Sequence, residues 1–103
     1  LRVTAYRGWK VFRVRDDGTL GSLFFGRRRV LLRGQWLGAH KGLHLSSLAY
    51  RPGWHVLLRR SAPWLTSKKD RRVMLRVEAR GVISVYVSPR GVPWLIAQEI
   101  RIR

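Results

Sequence analysis

The chain has 103 residues, a length suited to one domain with its own hydrophobic core. It carries 22 Lys and Arg against 5 Asp and Glu, for a formal charge of +17, and it contains no Cys. That composition excludes disulfides, thiolate metal sites and Cys nucleophiles. No apolar run approaches the ~18 residues of a transmembrane helix, and a hydrophobic content of 46% argues against disorder.

In chain order, the first seven residues lack the apolar core of a signal peptide and an initiator Met, so the expectation is a trimmed start and a cytoplasmic protein. Residues 9–15 alternate and predict a strand, with Phe12 and Val14 inward and Arg13 and Arg15 outward. Asp16-Asp17-Gly18 predicts a tight turn, because Gly accepts the positive φ that hairpin turns demand. Leu20 to Phe25 and Arg29 to Arg33 follow as further strands, separated by Gly26. Residues 34–53 are irregular and Gly-rich, with room for a short helix near Leu43 to Tyr50. His55 to Arg59 predicts another strand, and residues 67–71 a charged, solvated loop.

The C-terminal third alternates most clearly. Val73, Leu75, Val77 and Ala79 share one face, with Arg72, Arg76, Glu78 and Arg80 on the other. Gly81 punctuates before a β-branched run, Val82 to Val87. Residues 88–93 form a loop with two prolines. In the last strand Trp94, Ile96, Gln98, Ile100 and Ile102 fall on one face, and Glu99, Arg101 and Arg103 on the other. No linker or repeat divides the chain, so residues 1–103 form one domain. The expected fold is mainly β: a twisted antiparallel sheet forming a small barrel or sandwich, with at most one or two short helices.

Strings spread along this pattern resemble a family of small phage-encoded proteins. They are residues 10–24, Gln35-Trp36-Leu37, Arg51-Pro52-Gly53-Trp54-His55, Ala62-Pro63-Trp64-Leu65, Arg72-Val73 and residues 94–98. Arg-Pro-Gly-Trp-His is the most specific piece. The resemblance implies a phage or prophage origin and supplies no mechanism. Two positions depart from the family pattern. Gly38-Ala39-His40 stands where a Glu is usual after Trp-Leu, and Trp64 stands in place of a His. A His-dependent chemistry of the family is therefore not implied here.

The charge points to an anionic partner. The basic residues are 18 Arg and 4 Lys. Arg offers a planar fork that matches phosphate and stacks on rings, although a GC-rich genome also favours Arg over Lys. The expected nucleic-acid contacts, to RNA or DNA, are Arg27, Arg28, Arg29, Arg51, His55, Arg59, Arg60, Lys68, Lys69, Arg71 and Arg72. Trp9, Trp36 and Trp64 flank basic residues, open either to base stacking or to core packing. After the Pro52-Gly53 turn, Trp54 is the burial candidate and His55 the outward one. His40, His44 and His55 match zinc in number, but no acidic residue sits nearby in sequence to orient them, so no metal or cofactor is expected.

The function expected is non-catalytic nucleic-acid binding. One alternative is an interaction or anti-defence protein that docks on an acidic host protein or sequesters a phosphorylated nucleotide. Another is a nucleotide enzyme resembling ADP-ribosyltransferases, with Arg7 on pyrophosphate, Ser47 on ribose and Glu99 stabilising an oxocarbenium-like centre. In that enzyme pattern the Gln and Glu are separated by one residue, whereas Gln98 and Glu99 are adjacent.

Overall fold

A computed structural model of the chain describes residues 5–23, 28–39, 53–60 and 71–103. Six antiparallel strands make a single sheet: β1 (Tyr6–Val14), β2 (Leu20–Gly21), β3 (Trp36–Gly38), β4 (Trp54–Leu57), β5 (Arg72–Val87) and β6 (Pro93–Ile102). The described residues contain no helix. The fold is all-β, as the alternation predicts.

The sheet closes on itself. β5 pairs with β1 from Arg72 to Ala79 and with β6 from Val77 to Val87, so Val77 to Ala79 have a strand on both edges. β6 carries β4 along Trp94–Ala97 and β3 along Glu99–Arg101. β4 returns to β1 where Leu57 lies opposite Trp9. The ring is therefore β1–β5–β6–β4, with β2 added to β1 and β3 to β6.

The enclosed core comes from alternate residues. Phe12 on β1, Val77 and Ala79 on β5, Trp54 and Val56 on β4, and Ile100 and Ile102 on β6 are buried together with Leu20, Leu31, Leu37, Leu95 and Ala97. Val14, Val73 and Leu75 pack against them. Trp54 is anchored as well as buried, since its indole Nε1 donates to Leu37 O at 2.9 Å. Val11, Leu57 and Ile96 are buried outside this cluster. By strand parity they lie on the sheet's other side, so part of the sheet is apolar on both faces.

Several sequence expectations change. Gly81 does not end a strand. It adopts φ +67°, and β5 runs through it with an irregularity between Val82 and Ser84. A positive φ is cheap only for Gly, so the chain bends here without losing its ladder. In β6 the inward set is Leu95, Ala97, Ile100 and Ile102, while Gln98 is exposed. Parity therefore changes between Ala97 and Ile100, which strict alternation does not anticipate.

β2 ends at Gly21, and the expected strand Arg29 to Arg33 reduces to one bridge, Leu31 opposite Leu20. Arg15, expected outward, instead donates to Leu20 O at 2.8 Å and to Arg29 O at 2.9 Å, tying β2 to the segment after it, while Leu20 O also accepts from the Leu31 amide at 3.0 Å. Finally, the irregular segment after Gly34 contains a strand, β3, that its sequence does not announce. The expected helix near Leu43 to Tyr50 lies outside the described residues.

The turn at Asp16-Asp17-Gly18 forms as expected. Gly18 has φ +85°, and Asp17 Oδ1 accepts from the Thr19 amide and hydroxyl.

Trp54→Ala should cost about 3–5 kcal/mol, because it opens a cavity and leaves Leu37 O without its donor. Chemical denaturation of wild type and variant measures this, and an unchanged midpoint would contradict the packing.

Candidate nucleic-acid interface

The outward face of β1, β5, β6 and β3 is built by cross-strand register. Trp9 on β1 lies opposite Arg76 on β5, Arg7 opposite Glu78, Glu78 opposite Arg101 on β6, Arg80 opposite Glu99, and Arg101 opposite Trp36 on β3. Directly opposed side chains on one face touch, so a band of arginines, tryptophans and two glutamates crosses the sheet.

Two tryptophans organise this band. The Trp9 ring has the Arg60 guanidinium 4.9 Å and the Arg76 guanidinium 5.1 Å from its centroid. The Trp36 ring has Arg80 at 4.0 Å and Arg101 at 4.8 Å. Each contact is worth about 0.5–1 kcal/mol where exposed. The rings thus serve as holders for guanidinia. They are neither plain core residues nor bare stacking platforms.

The two holders differ in charge. At Trp36 both arginines are ion-paired: Arg80 Nε to Glu99 Oε1 at 2.8 Å, and Arg101 Nη2 to Glu78 Oε1 at 2.6 Å. Arg103 also reaches Glu78, at 3.4 Å. The hydrogen bond from Arg101 is the main reason that the Glu78 carboxyl is held below its usual range; the charges of Arg101, Arg103 and Arg7 assist, while burial opposes. At Trp9, among the described residues, no carboxylate pairs with Arg60 or Arg76. Two like charges share one ring there, an arrangement that an anion would relieve.

The expected contact residues separate on this frame. Arg60 joins Trp9 and Arg76, and Arg59 is exposed beside it. Arg72 lies opposite Arg13 across β1 and β5, with Arg71 exposed at the strand's start. Arg28 is exposed, whereas Arg29 turns inward, donating to Gly38 O with its guanidinium 5.7 Å from the Trp54 ring. His55 is half-buried: its Nδ1 lies 3.1 Å from Tyr86 Oη, and its ring meets Tyr86 and Trp94 edge-on. Arg27, Arg51, Lys68 and Lys69 lie outside the described residues, as do Trp64, His40, His44 and Ser47. Glu99 is ion-paired with Arg80, and Arg7 faces Glu78 across the strands. Among the described residues no three His, Cys, Asp or Glu cluster as metal ligands.

Adjacent basic runs in the sequence understate this surface. Arg76, Arg80 and Arg101 belong to it through pairing register, and only their alternation on the outward faces of β5 and β6 hints at them. Lys10 is absent from the expected contacts, although parity with Phe12 marks it. It shares the face of Phe12 and points inward, donating from Nζ to His55 O at 2.8 Å, with the Trp54 ring 5.7 Å away. Burial lowers its pKa from 10.5 to about 8.

No family model, curated protein or solved structure matches the chain.

Two pH predictions follow from these environments. The folded state holds Lys10 less firmly protonated than the unfolded chain does, so its charge opposes folding below about pH 8. Stability should rise between about pH 8 and 10.5 by about 3 kcal/mol from this group. Lys10→Met should lack that increment when melting is followed across the range.

Glu78 has the opposite sign. Its depressed pKa contributes stability above the unfolded value near 4.5, and that contribution is lost as pH falls through the folded value. Glu78→Gln should therefore be less stable than wild type at pH 7, with the difference closing in acid.

Proposed function

We propose that this is a small, non-catalytic nucleic-acid-binding domain of phage type that uses the outer face of its barrel. The observation that carries the proposal is the Arg60–Trp9–Arg76 arrangement, two guanidinia held on one ring with no described carboxylate beside them. A guanidinium docked on an aromatic face is less hydrated and already oriented, so it loses less freedom when its N–H edge meets a phosphate oxygen. Arg59 is exposed next to Arg60 in the chain, and the Arg13–Arg72 pair lies four residues further along the same two strands. With a net +17, the field would also draw a polyanion from a distance.

Contacts of this kind are to backbone phosphate, so affinity should depend on salt far more than on sequence. The nearby ion pairs give an internal control. Arg101 is neutralised by Glu78, whereas Arg60 and Arg76 are not neutralised by any described group. This contrast supports the Trp9 end as the stronger anion site.

Binding of a labelled oligonucleotide measured across salt concentrations should give a log–log slope of several units, at about 0.7–0.9 per phosphate contacted. The double variant Arg60→Gln/Arg76→Gln should weaken binding across unrelated sequences and flatten the slope by about one to two units. Arg101→Gln should do so less. Absence of binding at low salt would overturn the proposal. Tight, salt-resistant retention of one acidic protein would favour a protein partner instead.

A further inference from the structure

We infer that the outer half of the β5–β6 hairpin is a self-association surface, where a second copy of this chain pairs antiparallel along the edge of β5. The first observation is a segregation of charge. Residues 81–98 contain one charged residue, Arg90, out of 27 in the whole chain. The rest of the molecule is a basic body, and this hairpin is a neutral arm attached to it.

The second observation is exposure. Val82 is 39%, Ile83 54%, Val85 60% and Val87 66% exposed. These four lie within six consecutive residues, a β-branched segment lacking charge and proline. Such a segment on a strand edge favours pairing with another strand.

The third observation is the ladder itself. β5 pairs with β1 only as far as Ala79, while its pairing with β6 continues to Val87. Beyond Ala79, one edge of β5 faces no described strand. Peptide groups along such an edge ask for a hydrogen-bonding partner, which a lipid surface does not supply and another strand does.

Self-complementarity selects the second copy as the occupant, and charge decides which part of the surface it uses. Two chains of +17 that met through their bodies would set arginine against arginine. Meeting through residues 82–87, they bring no charged side chain of that segment together. An antiparallel strand pair about a two-fold axis is self-complementary, so one segment serves both sides. An acidic partner would instead be drawn to the basic body.

Salt dependence distinguishes this association from nucleic-acid binding. Screening weakens repulsion between the two basic bodies, so the dimer should strengthen as salt rises, whereas phosphate binding weakens. Sedimentation equilibrium on nuclease-treated protein should show a reversible monomer–dimer equilibrium that tightens from low to high salt. Val85→Lys or Val87→Lys should weaken it by about tenfold or more, with the circular dichroism spectrum unchanged. Because the chain has no Cys, single Cys substitutions from Val82 to Val87 provide a second readout. Oxidative cross-linking should peak at the position nearest the two-fold axis and fall away on either side.

A monomer at every salt and concentration would overturn the inference. So would a dimer indifferent to both lysine variants, or uniform cross-linking along the segment. Association that dissolves in salt and disappears with nuclease would identify a nucleic-acid tether and also overturn it.

Discussion

The pairing of β5 with two strands at once is the constraint on which the rest depends. Val77 to Ala79 lie between β1 and β6, and that shared segment turns two hairpin-like halves into a closed ring. Closure fixes which face of every strand is inside. It places Phe12, Val77, Ala79, Ile100 and Ile102 in one core, and it sends Trp9, Arg76, Arg80 and Arg101 outward together. The same geometry leaves the far half of β5 extending beyond β1, so the basic face and the neutral hairpin both result from how far each ladder runs.

A compact chain with this charge must manage its own repulsion. Two of its five carboxylates, Glu78 and Glu99, sit within the outward band and bind Arg101, Arg103 and Arg80. Surface pairs of this kind contribute little each, and their value lies in position. They quiet the Trp36 end of the band, whereas at the Trp9 end no described carboxylate pairs with Arg60 or Arg76. Tryptophan rings supply the remaining order, holding guanidinia 4.0–5.1 Å from their centroids.

Much of this fold was legible in the sequence because period-two alternation survives in β1 and in the first half of β5. Val73 to Ala79 behave as that pattern requires, and Trp54 is buried as expected. Legibility fails where tertiary contacts override the local signal. Arg15 turns in to bond the Leu20 and Arg29 carbonyls, Gly81 bends a strand it was expected to end, and β6 changes parity after Ala97. β3 is too short to show a period and exists because β6 offers it an edge. The candidate site was only half legible for a related reason. Adjacent arginines are visible in a sequence, but Arg60, Trp9 and Arg76 meet through register, which no single segment encodes.

The central claim is that anions bind at the Trp9 end of the outer face. Indole N–H resonances followed by NMR during titration with a short oligonucleotide test it directly. The Trp9 signal should move early, together with the side-chain Nε–H signals of Arg60 and Arg76. The Trp54 indole should stay in place, because it is buried and bonded to Leu37 O. A titration that shifts Trp54 or the hairpin while leaving Trp9, Arg60 and Arg76 unmoved would contradict the account.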